Sequence, residues 1–323
     1  MMKNYSVSVI VPVYNAKKYI RQCLDSLVAQ TLESLEVVIV NDGSTDGTLD
    51  IVQEYVNNND NFFLVNQENG GIAKARTAGY LASHGKYIGW TDNDDFVEPT
   101  MFETLLKKAE SENADYIYCD YDFYPQKVAN KEKWYKKYKG VVDWNFIERN
   151  THPWNKLIRR DLCNEIEMEK TLPIFSDSVY VGLLLHAKKI VCIDNVLYHY
   201  RVGHDSVSGG YLGKTEYYRE VSERAKKQKM FLEGTPYKDT LNEYFDYRYI
   251  YSLIQLCVVS AANQNKETYD DSQLKLKGMR FHKNKYVKTI LNNNFGKLKA
   301  VVLEDIIPSN YSIARFIVKT TVR

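Results

Sequence analysis

The sequence lacks the glycine-rich motifs that bind nucleotide phosphates in two common classes of enzyme. No G-x-G-x-x-G follows the first predicted strand, and no G-x-x-x-x-G-K-[ST] occurs in the 323 residues. Neither a dinucleotide site nor a P-loop is therefore predicted.

Cysteine motifs and an excess of one charge are also missing. The five cysteines are widely spaced and form no C-x-x-C, so the sequence predicts neither a disulfide framework nor a zinc site. Lys and Arg number 43 against 41 Asp and Glu, which gives a net charge of +2. This balance gives no reason to expect a nucleic acid as the main partner.

Long apolar runs are absent. The most apolar stretch, Tyr251–Ala262, contains Ser252, Gln255 and Ser260 and is too short and too polar to span a bilayer. The N-terminus enters a strand pattern without the longer apolar stretch of a signal peptide. We therefore expect a cytoplasmic protein with reduced thiols.

Strands and helices alternate four times in about the first 95 residues, which predicts an α/β fold with a doubly wound, mostly parallel sheet flanked by helices. The predicted strands are Ser6–Val13, Leu35–Val40, Phe62–Val65, Tyr87–Trp90 and Asp115–Tyr121. Leu183–Val191 and Val196–Tyr200 are predicted to close the α/β part. In such sheets ligands bind beyond the carboxyl ends of the strands.

The pattern changes near residue 210, where we predict a boundary between a catalytic domain (1–210) and a helical C-terminal region (211–323). The predicted helices of that region are 214–233, 239–265 and roughly 270–292. The second helix has an apolar surface broad enough to predict a homo-oligomer. The last stretch, Ile313–Arg323, mixes apolar and basic residues, so peripheral contact with an anionic membrane is the alternative.

The most informative segment is the acidic turn Asp92-Asn93-Asp94-Asp95, which follows a predicted strand. Its crowded carboxylates repel one another unless a cation neutralises them. Mg²⁺ or Mn²⁺ suits such oxygen ligands and often binds substrate phosphates as well. The alternative is a solvated turn that caps the helix beginning near Pro99.

Two further segments lie at predicted strand ends. Asp42 sits in a glycine-bracketed turn, where its carboxylate either accepts N–H bonds from a pyrimidine or caps the next helix. Asn69-Gly70-Gly71 opens a helix and lets the backbone approach a ligand closely, and Arg76 follows one turn later with a charge that can pair with phosphate. A plain turn and a solvated arginine are the alternatives.

Together these segments resemble the family-2 glycosyltransferases with the GT-A fold. The resemblance covers residues 6 to about 208. It is carried by Ser8–Asn15, Val40–Asp46, Asn69–Gly71 with Ala75-Arg76, Asp92–Asp95, Asn155–Arg160, and Phe175–Asp177 followed by Leu197–Arg201.

The resemblance implies how a nucleotide sugar is bound. Pro12, Tyr14 and Asp42 would hold the nucleobase. Asn69, Gly71 and Arg76 would form the next part of the donor site, with Arg76 near the diphosphate.

It also implies a metal site and a base. Asp92 would face the ribose or the metal, Asn93 would bind substrate, and Asp94 would coordinate the metal that bridges the phosphates. His204 is a candidate further ligand, although a lone loop histidine is more often a surface residue. Asp177 would be the general base of an inverting displacement.

One position departs from the family pattern, which usually has Glu-Asp where this chain has Ser176-Asp177. The predicted base is present without its acidic neighbour, so the acceptor geometry is open. The alternatives are a non-catalytic scaffold that binds nucleotide sugars and a sugar-nucleotide pyrophosphorylase. The latter usually has a glycine-rich basic loop after the first strand, where this chain has Val13–Lys17 without glycine.

By the resemblance, the expected donor is a UDP-sugar that carries a hexose or an N-acetylhexosamine. The expected acceptor is a hydroxyl of a surface glycan, a lipid-linked sugar or a glycoprotein.

Overall fold

The structure is a computed structural model, and the chain divides into two compact units, Met1–His204 and Asp205–Arg323. The residues that the structure describes are 4–125, 140, 142–165, 177–203, 214–279, 283–287, 308 and 310–314. The predicted boundary near residue 210 lies outside them, and the roles predicted for the two regions stay predictions.

The first unit alternates strands and helices in its N-terminal half. In chain order its elements are β1 (Val7–Val13), α1 (Ile20–Val28), β2 (Leu35–Asp42), α2 (Thr48–Asn58), β3 (Phe62–Gln67), α3 (Ile72–Ala82), β4 (Tyr87–Trp90), β5 (Phe96–Val97), α4 (Met101–Ser111), β6 (Tyr116–Tyr124), α5 (Trp144–Asn150), β7 (Lys156–Arg159), α6 (Arg160–Glu165), α7 (Asp177–His186) and β8 (Ile190–Arg201).

Among the described residues these strands form one eight-stranded sheet in the order β3-β2-β1-β4-β7-β6-β8-β5. β1 lies parallel to β2 and β4, β2 parallel to β3, and β6 parallel to β8. β7 is antiparallel to both β4 and β6, and β5 is antiparallel to β8. Because β4 and β6 both oppose β7, every strand except β5 and β7 points the same way, which confirms the predicted mostly parallel α/β sheet.

The centre of the sheet is buried on both faces, as its continuous Val and Ile runs predict. Every residue of β1 and β2 is buried. α3 packs on β1 unusually closely at Gly79, where an added Cβ would lie 2.4 Å from the Cγ2 atom of Ile10. The absence of a side chain at Gly79 therefore lets α3 lie directly on β1.

The second half of this unit departs from the sequence-based expectation. The run Leu183–Val191 divides between the end of α7 and the start of β8, and β8 continues without a break through Val196–Tyr200. α7 has an apolar run without helical periodicity because its described side chains from Val179 to Leu185 are almost all buried. The short antiparallel strands β5 and β7 were not predicted.

In the second unit the described residues form α8 (Thr215–Gln228), a short 3-10 helix (Lys229–Leu232), α9 (Lys238–Ala262) and α10 (Lys266–Gly278). α10 begins earlier than predicted because the side chain of Asn265 caps it, accepting a hydrogen bond from the Thr268 amide at 3.1 Å. Most of the predicted third helix beyond Met279 lies outside the described residues.

The apolar surface of α9 is largely covered within its own unit, where α8 and α10 pack against it. Tyr244, Phe245, Leu253 and Ile254 are all buried in the single chain. A second copy is therefore not needed to cover these side chains, and the predicted homo-oligomer stays a prediction. Among the described helices, none combines the length and apolar character that a membrane span requires.

Candidate active site

The predicted donor-binding residues lie at one edge of the sheet. β1, β2, β3 and β4 are parallel, so their carboxyl ends meet there. Asp42 is the last residue of β2, and Asp92 lies two residues after the end of β4. The sequence-based expectation that the acidic and glycine-rich segments share an edge is therefore consistent with the sheet topology.

Asp42 links the ends of β2 and β3 to the glycine loop before α3. Its Oδ1 accepts hydrogen bonds from the side chain of Gln67 at 2.6 Å and the amide of Gly70 at 2.9 Å. Its Oδ2 accepts from the amide of Gly71 at 2.9 Å. In this state the carboxylate fixes the loop, so it positions Gly71, and its predicted contact with a nucleobase stays a prediction.

The loop before Gly70 is also packed closely on the Asp42 turn. Gly43 has φ +73°, and a Cβ at that position would lie 2.9 Å from the backbone nitrogen of Asn69. Only glycine meets both requirements without strain. The sequence Asp42-Gly43 thus determines how closely Asn69 approaches the end of β2.

Pro12 and Asn93 are brought together at the end of β1. The side-chain amide of Asn93 donates a hydrogen bond to the Pro12 carbonyl oxygen at 2.8 Å. Pro12 is buried, whereas the Tyr14 side chain is 47% exposed and so accessible to a planar ligand. Asn93 therefore anchors the acidic turn to β1, a contact that leaves its predicted role in substrate binding untested.

Arg76 and Asp92 form an ion pair at the predicted diphosphate position. An Nη2 of Arg76 lies 3.6 Å from Oδ1 of Asp92, and the Arg76 side chain is only 7% exposed. The guanidinium also lies over the ring of Tyr180 on α7, 5.8 Å from its centroid. Arg76 is thus a buried cation beside the acidic turn rather than a solvated residue on a helix face.

Asp95 has a structural role that the sequence motif did not reveal. Its Oδ2 accepts a hydrogen bond from the hydroxyl of Tyr198 at 2.6 Å, and its Oδ1 accepts one from the amide of Arg201 at 2.7 Å. Burial, together with the negative charges of Asp92 and Asp94, raises the pKa of Asp95 well above its usual range. Asp95 therefore ties the acidic turn to β8.

The donor set fits a hard divalent cation that is completed by substrate phosphates. Asp92 and Asp94 are partly exposed, while Asp95 is buried and engaged. Within the described residues no group of three His, Cys, Asp or Glu side chains could hold a metal by itself. Mg²⁺ typically binds through one or two carboxylates plus phosphate oxygens, which is the set that Asp92 and Asp94 offer.

Two predicted residues are described only in part or not at all. Asp177 begins α7, but nothing is described of its side chain. Ser176 and His204 lie outside the described residues. The predicted base and the predicted third metal ligand therefore stay predictions.

β8 contributes two side chains that the sequence analysis left without a role. Arg201 donates from Nε to the backbone carbonyl oxygen of Asp94 at 2.7 Å, so it holds the acidic turn from the other side. Nδ1 of His199 lies 2.7 Å from Asp122 Oδ1, and Nε2 lies 2.9 Å from Glu98 Oε1. These contacts fasten β8 to β6 and to the segment after β5, and no local spacing in the sequence indicates them.

Comparison with known proteins identifies glycosyltransferases that are similar to this chain. The family model "Glycosyl transferase family 2" matches residues 8–167. The uncharacterized glycosyltransferase EpsJ of Bacillus subtilis is 31% identical over 220 residues, which are 62% of this chain and 62% of that protein. Glycosyltransferase GlyG of Streptococcus pneumoniae is 30% identical over 214 residues, 60% of this chain and 70% of GlyG. The match to this chain thus spans less than two thirds of the length of EpsJ.

The fold has solved counterparts. The structure of S. aureus TarS 1-349 in complex with UDP-GlcNAc superposes with a TM-score of 0.65, at 21% identity, over 79% of this chain and 81% of that one. An identity this low supports the fold alone. The fold is accordingly of the GT-A type, with a helical C-terminal region.

Proposed function

This chain belongs to glycosyltransferase family 2, and on that premise we propose that it transfers a hexose or N-acetylhexosamine from a nucleotide diphosphate sugar to an acceptor hydroxyl. The observation that carries the proposal is the buried Arg76 paired with Asp92, beside Asp94, at the edge where the parallel strands end. In this arrangement the Arg76 cation can pair directly with a diphosphate. The two carboxylates can bind the diphosphate through a divalent metal.

The donor is proposed to be a UDP-sugar. TarS has a related fold and is recorded with UDP-GlcNAc, which supports uridine as the base and an N-acetylhexosamine as one candidate sugar. The exposed ring of Tyr14 and the Asp42 turn would receive the base, and the Gly70-Gly71 loop would approach the phosphates. The acceptor is proposed to be a glycan, a lipid-linked sugar or a glycoprotein.

Transfer is proposed to invert the anomeric carbon in one displacement. Asp177 would take the proton from the acceptor hydroxyl while the hydroxyl oxygen forms a bond to the anomeric carbon. The bond from that carbon to the diphosphate oxygen would break in the same step. The position of α7 supports this role, because Tyr180, one turn after Asp177, packs edge-on against Trp90 at the end of β4 (5.4 Å, 90°). Bound Mn²⁺ or Mg²⁺, held by Asp92 and Asp94, would neutralise charge on the departing diphosphate.

Release of UDP from a panel of UDP-hexoses and UDP-N-acetylhexosamines tests the proposal, with water serving as the acceptor if no other is known. We expect release from at least one donor, dependent on added Mn²⁺ or Mg²⁺. Asp94→Asn should keep the fold by circular dichroism and lose the metal-dependent release. The control is Asp60→Asn, which makes the same charge change at an exposed position outside the site.

Three outcomes would count against parts of the proposal. Full activity in excess chelator, or in Asp94→Asn, would contradict the metal. Tight UDP binding without release from any donor would favour the non-catalytic scaffold. Production of pyrophosphate from UTP and a hexose phosphate would instead identify a pyrophosphorylase.

A homo-oligomer and a peripheral membrane contact are also proposed. Because α8 and α10 already cover α9, the remaining argument for self-association is that symmetric oligomers are common among soluble proteins. Light scattering decides this, since a single chain has a mass of 37.6 kDa. Co-sedimentation with anionic vesicles tests the membrane contact, whose basic stretch Ile313–Arg323 lies mostly outside the described residues.

A further inference from the structure

A stack of aromatic rings lies beside the acidic turn. Tyr200, near the end of β8, stacks on Trp154 with ring centroids 5.1 Å apart and planes 23° apart. Trp154 also stacks on Tyr198 at 4.8 Å and 16°, and Phe123 on β6 meets Tyr200 edge-on at 6.1 Å and 82°. Trp154 and Tyr198 are buried, whereas Tyr200 keeps part of its surface exposed. Tyr200 therefore offers exposed surface beside the buried pair Trp154 and Tyr198, and Phe123 next to it is also partly exposed.

The ring behind Tyr200 is held rigidly by its own loop. The Lys156 ammonium donates to the carbonyl oxygens of His152 at 2.5 Å and Trp154 at 2.9 Å, and to Oδ1 of Asn155 at 2.9 Å. An ammonium has three N–H donors, so each donor has an acceptor. His152 also stacks on Trp154, at 3.9 Å and 28°. The loop before β7 thus fixes Trp154, and Trp154 in turn backs Tyr200.

The stack is joined to the acidic turn through two residues of β8 that lie on either side of Tyr200 in the sequence. Tyr198, two residues earlier, and Arg201, the next residue, both donate hydrogen bonds to Asp95. Burial and the negative charges of Asp95, Asp92 and Asp94 raise the pKa of Tyr200 to about 12. The Tyr200 ring therefore lies within the electrostatic field of the acidic turn that carries the proposed metal ligands.

The order of the sheet indicates which substrate this surface serves. The proposed donor residues Pro12, Asp42 and Arg76 belong to β1, β2 and α3, and the acidic turn follows β4. β6, β7 and β8, which carry or adjoin the aromatic stack, lie on the other side of β4 in the sheet. With the nucleotide on the first half and the diphosphate at the centre, the second half is left for the second substrate.

We propose that Tyr200, backed by Trp154, is the platform on which a pyranose ring of the acceptor stacks; this inference rests on the proposed function. A pyranose presents a face of C–H groups, and burying that face on an aromatic ring is favourable, while the ring hydroxyls stay free for hydrogen bonds. The rigid backing lowers the entropic cost of binding, because the ring is already held in place. The acceptor is thereby a sugar rather than a peptide hydroxyl.

The test compares a variant that loses the aromatic ring of Tyr200 with a control variant that keeps it. Tyr200→Leu removes the aromatic face, and Tyr200→Phe keeps it without the hydroxyl. The acceptor probes are the methyl β-glycosides of glucose, galactose and N-acetylglucosamine, and their binding is followed by saturation-transfer NMR in the presence of UDP and Mn²⁺. We expect at least one probe to bind the wild type. In Tyr200→Leu its Kd, and its KM where it is glycosylated, should rise about tenfold, while Tyr200→Phe should stay within about threefold of the wild type.

The KM for the UDP-sugar distinguishes a role of Tyr200 in acceptor binding from a role in donor binding. In Tyr200→Leu the KM for the UDP-sugar should change less than about twofold, and thermal melting should show that the fold is retained. A rise in donor KM with acceptor binding unchanged would overturn the proposal by assigning the ring to the donor sugar. Unchanged binding of both substrates, or no binding of any methyl glycoside to the wild type, would also overturn it. Failure of the proposed function is distinct, because it appears as no UDP release from any donor by the wild type.

Discussion

At the scale of single residues, the three carboxylates of the acidic turn have different environments. Asp92 faces the guanidinium of Arg76, whereas Asp95 is buried and accepts two hydrogen bonds from β8. Asp94 remains partly exposed, and its backbone carbonyl oxygen accepts a hydrogen bond from Arg201. A ligand or metal can therefore recruit Asp92 and Asp94 without breaking the link that holds the turn to β8.

Asp177 gives the first residue-scale prediction. Asp177→Asn removes the proposed proton acceptor and keeps nearly the same shape, so the transfer rate should fall about 10²–10⁴-fold. The affinity for UDP should hardly change, because the base is proposed to face the acceptor. Calorimetry with UDP and Mn²⁺ checks the second statement, and lost nucleotide binding would move Asp177 to the donor site.

His152 gives a prediction of pH dependence. Burial and the adjacent charge of Lys156 hold the pKa of His152 well below its ordinary value. As pH falls below about 6.5, the unfolded chain takes up a proton that the folded chain does not, so the free energy of unfolding decreases. His152→Phe keeps a ring against Trp154 and removes this titration.

We therefore expect His152→Phe to lose less stability than the wild type between pH 7.5 and 5.5, by about 1 kcal/mol. Urea unfolding at several pH values measures the difference. All other histidines are common to both proteins, so they cancel in the comparison. Parallel stability curves would show that His152 takes up a proton in the folded state as readily as in the unfolded one.

At the scale of elements, the carboxylate of Asp42 links the ends of β2 and β3 to the loop before α3. Asp42→Asn replaces one of its two acceptor oxygens by an amide that cannot accept, so a donor such as the Gly71 amide loses its partner in a partly buried hydrogen bond. The cost should be about 0.5–1.5 kcal/mol of unfolding free energy. We expect UDP affinity to fall as well, because the glycine loop is no longer fixed.

The control for this prediction is Gln67→Met, which removes one donor to Asp42 and leaves the carboxylate and both glycine amides in place. It should have a smaller effect on both urea unfolding and calorimetric UDP binding. If Asp42→Asn weakened UDP binding without any loss of stability, the carboxylate would act directly on the nucleotide rather than through the loop.

The elements also show what the sequence could reveal. β1, β2 and β4 were predicted close to their observed bounds, because buried parallel strands have continuous apolar runs. β5 has only two residues, and β7 has only two apolar residues, which lie between Lys156 and Arg159, so neither has the continuous apolar run that identifies the other strands. The link between Asp95 and β8 could not be predicted, since more than 100 residues separate its partners and no local spacing records it.

The candidate site also has features that the sequence could predict and features that it could not. The motif residues and their shared sheet edge were predictable, because each motif is local and strand direction follows from the alternation of elements. The aromatic stack was not, since Trp154 and Tyr200 are brought together only by the pairing of β6 with both β7 and β8. The buried state of Arg76 likewise depends on α7, which packs against it through Tyr180.

At the scale of the whole molecule, the division into two compact units sets the last prediction. All described residues of the candidate site belong to the first unit, so damage to the core of the second should leave nucleotide binding intact. Leu253 on α9 is 1% exposed, and Leu253→Ala should cost the second unit about 2–5 kcal/mol by creating a cavity. Calorimetry of unfolding should then show one transition moved to lower temperature, while the transition that UDP and Mn²⁺ shift upward stays in place.

Val38→Ala, at a fully buried position of β2, is the reciprocal variant and should move the UDP-sensitive transition instead. If Leu253→Ala abolished UDP binding at a temperature where the first unit remains folded, the helical unit would take part in building the donor site, and the assignment of catalysis to residues 1–210 alone would fail.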